Sequence, residues 1–248
     1  MARLAGVDID VHWSFSFVIL WVIGQGALGN KEVEVILFVL LAVLLLFGCV
    51  MLHELGHAWM ALRLNVGVKS IVLLPIGGLA RLQSLPADPL HELLIAGAGP
   101  LVNLAVAVGL IPLLFVFNQE ALVTGFMISP LTVMEAVLQS PFQDSAFIEL
   151  VIFLLLSNVI LFLFNLIPAF PLDGGRILRA LLAMVFSSVR ATQIAVGIGQ
   201  LLAIALILVA LRTRILGLLL MAIFILIAGW PLRIGAPPIS LPLDPPDD

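Results

Sequence analysis

Residues 33–64 read VEVILFVLLAVLLLFGCVMLHELGHAWMALRL and decide the fold of this chain. A helix needs ~20 mainly apolar residues to cross the ~30 Å hydrocarbon core of a membrane, and this stretch is longer than that. Two histidines and a glutamate lie near its end, in the sequence HELGH at residues 53–57. The stretch therefore predicts a transmembrane helix that carries a polar cluster inside the membrane.

The spacing within HELGH indicates a metal site. His53 and His57 are four residues apart, so a helix places both imidazoles on one face, where they can bind one ion. Glu54 is adjacent to that face and can accept a proton from an attacking water. Such a motif occurs by chance in soluble sequences, but polar residues inside a membrane helix are costly and functional by default. We therefore predict a zinc site with Glu54 as general base, rather than polar residues satisfied between packed helices.

The composition places most of the surface in lipid. Of 248 residues, 62% are hydrophobic and 10% are charged, whereas ~25% of a soluble globular protein is charged. The net charge of -4 includes no basic cluster that could neutralise a nucleic-acid backbone, so we expect no nucleic-acid partner. The single cysteine, Cys49, excludes an internal disulfide. We interpret Cys49 as a packing residue, because a fourth protein ligand would close the open position of a catalytic zinc.

The apolar segments predict an all-α polytopic membrane protein with about six transmembrane helices. We place the crossings at about 13–28, 33–64, 91–117, 146–186, 191–211 and 215–230, with the fourth broken at Pro168 and Pro171. The first is interpreted as a retained helix, because no signal-peptidase cleavage pattern follows it. Residues 66–82 are rich in β-branched residues and contain Pro75 and Gly77-Gly78, which predicts short strands and a turn. We expect a transmembrane core over residues 1–233 and a disordered, Pro-rich acidic tail over residues 234–248.

The distribution of basic residues predicts the orientation. Loops rich in Lys and Arg remain on the cytoplasmic side, and the connection 118–146 contains neither residue. We therefore expect both termini in the cytoplasm. We also expect a multi-pass protein of a prokaryotic cell membrane. The supporting residues are Arg63, Lys69, Arg81, Arg176, Arg179 and Arg190; Arg212 and Arg214 oppose this assignment.

A catalytic zinc takes three protein ligands and keeps one open position, so a third ligand is needed. The remaining histidines, His12 and His91, lie at predicted membrane edges. Asp173 lies in NLIPAFPLDGG, residues 165–175, where two prolines and two glycines interrupt the helix. The next half-helix would direct its positive N-terminal end at this carboxylate. Asp173 could simply cap a helix in a cytoplasmic turn, but the unfilled ligand position favours a metal ligand.

These motifs together resemble the site-2 protease family of intramembrane zinc metalloproteases. HELGH on an early membrane helix and FNLIPAFPLDGGRILRA at residues 164–180 carry the resemblance, with VHWSF, LLPIGG and GAGPLVN at 11–15, 73–78 and 97–103. The resemblance implies one Zn²⁺ held by His53, His57 and Asp173, with Glu54 as general base. Some relatives carry a PDZ domain or a CBS pair; we expect a minimal form without either, because 118–146 is too short for a PDZ domain and the sequence ends at Asp248.

The resemblance also implies hydrolysis of peptide bonds within or beside the transmembrane helices of membrane proteins. Single-span proteins and leftover signal peptides both fit as substrates. The alternative is a non-catalytic zinc transporter or scaffold, which would leave Glu54 without a clear role.

Two parts of the mechanism stay open. Asn165 is our candidate for stabilising the oxyanion, since the chain has no tyrosine, or else it caps a half-helix. Residues 66–82 clamp an extended substrate or form a structural hairpin.

Overall fold

The computed structural model describes residues 2–4, 7–74, 77–82, 86, 88–117 and 146–233. These residues form a small four-stranded sheet and a set of long apolar helices. The predicted tail at 234–248 and the connection 118–145 lie outside the described residues. The strands are β1 (Ala2–Leu4), β2 (Val7–Val11), β3 (Val68–Leu74) and β4 (Gly77–Leu82). The helices are α1 (Phe15–Leu28), α2 (Val33–Arg63), α3 (Pro89–Phe117), α4 (Ala146–Asn165), α5 (Asp173–Ala183), α6 (Ser188–Thr213) and α7 (Leu216–Arg233).

Four of these helices are long and apolar enough to cross a membrane: α2, most of α3, α4 without its first residue, and α6. Helices α1 and α7 contain shorter apolar segments, Phe15–Leu28 and Leu216–Gly229. The structure therefore confirms a mostly helical protein with several membrane-length helices. The predicted break within the fourth crossing is present, because α4 ends at Asn165 and α5 begins at Asp173.

The sheet has the order β1-β2-β3-β4. The β3–β4 pair is antiparallel and corresponds to the strands predicted within residues 66–82. The sequence did not predict β1 and β2, which pair with each other as antiparallel strands. Strand β2 adds to β3 in parallel, with Asp8 opposite Ser70 and Val11 opposite Leu73. The sheet therefore ties the first residues of the chain to the segment that follows α2.

Contacts divide the chain into two compact units. The first contains residues 1–85 and 98–163, so it includes the sheet, α1, α2 and most of α3 and α4. Its core forms where α3 meets α4, around Ala107, Leu114, Val151 and Leu155. Gly56 of α2 lies close to α3, where an added Cβ would be 2.8 Å from Val102. Small residues allow such close helix approach in membranes, where packing replaces the hydrophobic effect.

Two asparagines lie fully buried in the first unit. Asn158 of α4 donates a hydrogen bond from Nδ2 to Sγ of Cys49 on α2 at 3.2 Å. This bond joins two helices, as expected for a polar residue in a membrane core. Asn103 of α3 is equally buried, but neither of its amide atoms has a hydrogen-bond partner among the described residues.

The second unit contains the described residues within 86–97 and 164–248. Helices α6 and α7 pack against each other and against the loop that joins α4 to α5. Ala169 of that loop is buried with Ala203, Ala222 and Ile225. Gly199 of α6 approaches the same loop, since an added Cβ would be 3.0 Å from Cα of Ala169. The loop before Asp173 is thus held against two helices.

Candidate metal centre

The two histidines of HELGH lie on one face of α2 and are both buried. Their Nε2 atoms are 3.1 Å apart, and the rings are nearly perpendicular at 83°. Two nitrogens bound to one tetrahedral zinc at ~2.0–2.1 Å would be about 3.3 Å apart. The i, i+4 spacing of His53 and His57 therefore gives the separation that a shared zinc requires.

Helix α3 approaches this histidine pair at Gly99. A Cβ added at Gly99 would lie 2.8 Å from Nε2 of His53 and 2.5 Å from Cε1 of His57, closer than real Cβ contacts. Gly97 is two residues earlier on the same helix, and a Cβ there would meet nothing within 4 Å. The contact of α3 with the imidazoles therefore lies at Gly99.

Asp173 is the first residue of α5 and is buried. The two glycines after it let the first turn of α5 lie against the backbone of the preceding loop. A Cβ at Gly174 would be 2.5 Å from the carbonyl carbon of Leu166, and one at Gly175 would be 2.6 Å from the Phe170 nitrogen. Because these neighbours are backbone atoms, they cannot rotate away as a side chain can. The sequence DGG therefore holds the carboxylate at the N-terminal end of α5, which favours negative charge.

The structure brings together the three residues predicted as ligands. One ligand atom from each of His53, His57 and Asp173 lies within 4.8 Å of the other two, and all three residues are buried. Two neutral imidazoles and one carboxylate are donors that zinc commonly uses in catalytic sites. The donor set and the separation of the two histidine nitrogens therefore both fit a zinc ion.

Glu54 is also buried, with 8% of its surface exposed. Strand β4 passes close to it at Gly78, where an added Cβ would lie 2.8 Å from Cδ and 2.9 Å from Oε1 of Glu54. No side chain larger than hydrogen fits at that point without moving the carboxylate. The sheet thus contacts the residue predicted to act as general base, a contact that the sequence did not indicate.

The other residues considered from the sequence occupy different places. Asn165 is the last residue of α4, directly before the loop that leads to Asp173. His91 lies on the first turn of α3, with Nε2 3.7 Å from Oδ2 of Asp88. Nδ1 of His12 lies 2.6 Å from the hydroxyl of Ser14. Cys49 is buried beside Asn158. Among the described residues, the candidate metal cluster includes none of these four.

Comparisons with known proteins agree with this chemistry. The model of the family described as peptidase family M50 matches residues 41–207. A zinc metalloprotease of Methanocaldococcus jannaschii is 34% identical over 223 residues, which cover 90% of this chain and 57% of that protein. A putative zinc metalloprotease of Mycobacterium tuberculosis is 31% identical over 240 residues, with coverages of 93% and 55%. Zinc, the metal expected from the sequence, is thus the metal in the names of these relatives.

A solved structure shares the fold. The site-2 protease from Methanocaldococcus jannaschii superposes with a TM-score of 0.62 at 29% identity, covering 100% of this chain and 98% of that chain. The chain spans about half the length of the curated relatives that it matches. Together with the membrane-length helices, these likenesses identify a multi-pass membrane protein.

Proposed function

Because the chain belongs to peptidase family M50, the site-2 protease family, we propose that it is an intramembrane zinc metalloendopeptidase. It hydrolyses peptide bonds within or beside the transmembrane helices of its substrates. The observation that carries this proposal is the convergence of His53, His57 and Asp173 next to a buried Glu54 on a membrane-length helix. Zinc, when bound, supplies Lewis-acid chemistry that polarises a carbonyl and makes water more acidic.

In this proposal Glu54 moves the protons of the reaction. Its carboxylate accepts a proton from the attacking water as the oxygen–carbon bond forms. It then returns that proton to the leaving nitrogen as the peptide C–N bond breaks. Burial of Glu54 and its confinement by Gly78 keep the carboxylate in one place for both transfers.

Asn165 is the proposed donor to the developing oxyanion. Its position as the last residue of α4 also fits the alternative that it caps that helix. Replacing Asn165 with Leu should lower turnover about 100-fold, the effect of losing one oxyanion donor, while one zinc per chain remains bound. Turnover and metal content are measured on the same preparation. A variant that loses its helical circular dichroism as well would identify Asn165 as a capping residue instead.

Strand β4 is the proposed clamp for substrate. Within the described residues it pairs on one side only, with β3, so its other edge can accept an added strand. Its approach to Glu54 at Gly78 would bring an extended peptide beside the general base. Extension is needed because the peptide bonds of a helix are shielded and their carbonyls already accept hydrogen bonds.

Proline substitutions along β4 test the clamp. Successive residues of an antiparallel strand direct their N–H groups to opposite edges, so proline should remove donors from the free edge at every second position. At those positions cleavage should fall at least tenfold while zinc content stays unchanged. At the intervening positions proline breaks pairing with β3 and should lower thermal stability. If every proline variant that keeps its zinc also cleaves at the normal rate, the hairpin is only structural.

The C-terminal end of α2 indicates where one membrane boundary lies. The guanidinium of Arg63 lies 5.0 Å from the ring of Trp59, and both side chains are exposed. An aromatic residue paired with arginine is typical of a membrane–water boundary. We place the cytoplasmic boundary there, which puts His57 ~9 Å inside at ~1.5 Å per residue.

The shorter apolar helices α1 and α7 complete six crossings, with both termini in the cytoplasm. The archaeal and bacterial relatives favour a prokaryotic cell membrane.

The proposed function is tested by incubating the purified protein in liposomes with a single-span reporter protein. We expect two fragments whose new ends, read by mass spectrometry, lie within or beside the reporter's transmembrane helix. Single-span proteins and leftover signal peptides are the proposed substrate classes, and a signal peptide serves as the second reporter. Transport of zinc across the liposome without cleavage of either reporter would favour a non-catalytic transporter.

A further inference from the structure

Glu92 is a buried carboxylate outside the candidate metal cluster. It lies on the first turn of α3 with 3% of its surface exposed. It accepts hydrogen bonds at Oε1 from two nitrogens of Arg179 on α5, Nε at 2.9 Å and Nη2 at 2.5 Å. Arg179 is itself mostly buried, with 16% of its side chain exposed. A paired charge at this depth is expensive to form, and each partner left alone would cost more.

Helix α5 needs such fixing because it is short and carries Asp173 at its first position. It has 11 residues, whereas helices shorter than ~12–15 residues are marginal by themselves. Leu178 and Leu182 pack against Phe170, Ala195 and Val196 on its apolar side. Apolar packing is not directional, so it leaves the helix some freedom to rotate or slide. Hydrogen bonds to a charged group are directional and remove that freedom.

We propose that Glu92 and Arg179 are a positioning pair that sets where Asp173 presents its carboxylate to the metal. Arg179 follows Asp173 by six residues, so the bonds fix α5 ~9 Å along its axis from the ligand. The glycines at 174 and 175 fix the start of the helix against the loop, and Arg179 fixes its second half. A helix fixed at two separated points can neither rotate about its axis nor shift along it. This inference rests on the proposed zinc site.

The test uses purified full-length protein loaded with Co²⁺, whose visible absorption reports the ligands of the ion. Glu92→Gln should lower Co²⁺ affinity roughly 10–100-fold, the usual effect of disturbing a residue that orients a ligand. Its saturated spectrum should move toward that of Asp173→Ala, because the carboxylate no longer reaches the ion. Adding Glu92→Gln to Asp173→Ala should change neither affinity nor spectrum further, since both changes act through one ligand.

Two control variants separate positioning from general damage. Arg176→Gln removes a positive charge from α5 and leaves both Glu92–Arg179 bonds in place. Asp88→Asn removes an exposed carboxylate near the start of α3. Both should keep the wild-type affinity and spectrum. Arg179→Lys keeps the charge but loses the planar two-nitrogen geometry, so it should show a weaker form of the Glu92→Gln change. It provides the test if Glu92→Gln does not fold.

The outcomes distinguish the inference from the proposed function. A wild-type protein that binds neither Zn²⁺ nor Co²⁺ contradicts the proposed function. A wild-type protein that loads normally, with a Glu92→Gln variant of equal affinity and identical spectrum, contradicts the positioning role alone. A variant with a lower melting temperature but an unchanged saturated spectrum also contradicts it, because the pair would then only stabilise the fold.

Discussion

Glu54→Gln should abolish cleavage of a single-span reporter while the protein keeps one zinc per chain. The amide has nearly the shape of the carboxylate but cannot accept the proton from water, and loss of a general base costs about 10²–10⁴ in rate. Zinc content should not change, because Glu54 is not in the candidate ligand cluster. The measurements are the cleavage rate in liposomes and the metal content of the same sample.

Glu34→Gln is the matched control. Glu34 lies on the first turn of the same helix, α2, and is exposed, so its amide should leave both rate and zinc unchanged. Cleavage by Glu54→Gln at the wild-type rate would contradict the proposed mechanism and revive the transporter or scaffold alternative. Peptides that accumulate with the inactive variant in cells would identify the natural substrates.

Gly99→Ala is expected to impair both metal binding and cleavage. The new methyl group would lie 2.8 Å from Nε2 of His53 and would also meet the ring of His57. The imidazoles must then turn away, and a metal site tolerates misplacement of only about 0.5 Å. Zinc affinity should fall on the order of 10-fold or more, as for changes that misorient a ligand, and cleavage should fall with it. Competition with a chromogenic chelator measures the affinity.

Gly97→Ala provides the comparison on the same helix. An added Cβ there meets nothing within 4 Å, and alanine is a better helix former than glycine by ~1 kcal/mol. This variant should bind zinc normally and be no less stable than the wild type. If Gly99→Ala and Gly97→Ala have the same zinc affinity, the close approach of α3 to the histidines does not matter for the metal.

The local part of the site could be predicted from the sequence, because helix periodicity alone places His53 and His57 on one face. The helix break before Asp173 could be predicted as well, since Pro168, Pro171 and two glycines interrupt the apolar run. The four membrane-length helices follow from their long apolar runs. In each case the signal lies within about 30 consecutive residues and needs no knowledge of distant contacts.

The parts that were missed depend on distant contacts. Strand β2 pairs with β3, which is about 60 positions later in the chain. The short sequence of β2 does not indicate that β3 is its partner. The contact of Gly78 with Glu54 depends on where the sheet meets α2. The pairing of Glu92 with Arg179 was not predicted, because the two residues are 87 positions apart. The distinction between Gly97 and Gly99 depends on the rotation of α3.

X-ray absorption at the zinc edge of the purified protein tests the central claim most directly. We predict one zinc per chain with nitrogen and oxygen neighbours at about 2.0–2.2 Å, and with the outer-shell scattering of two imidazole rings. Asp173→Ala should lose one oxygen neighbour and keep both imidazoles. A sulfur neighbour at about 2.3 Å, which would implicate Cys49, or scattering from fewer than two imidazoles would contradict the site formed by His53, His57 and Asp173.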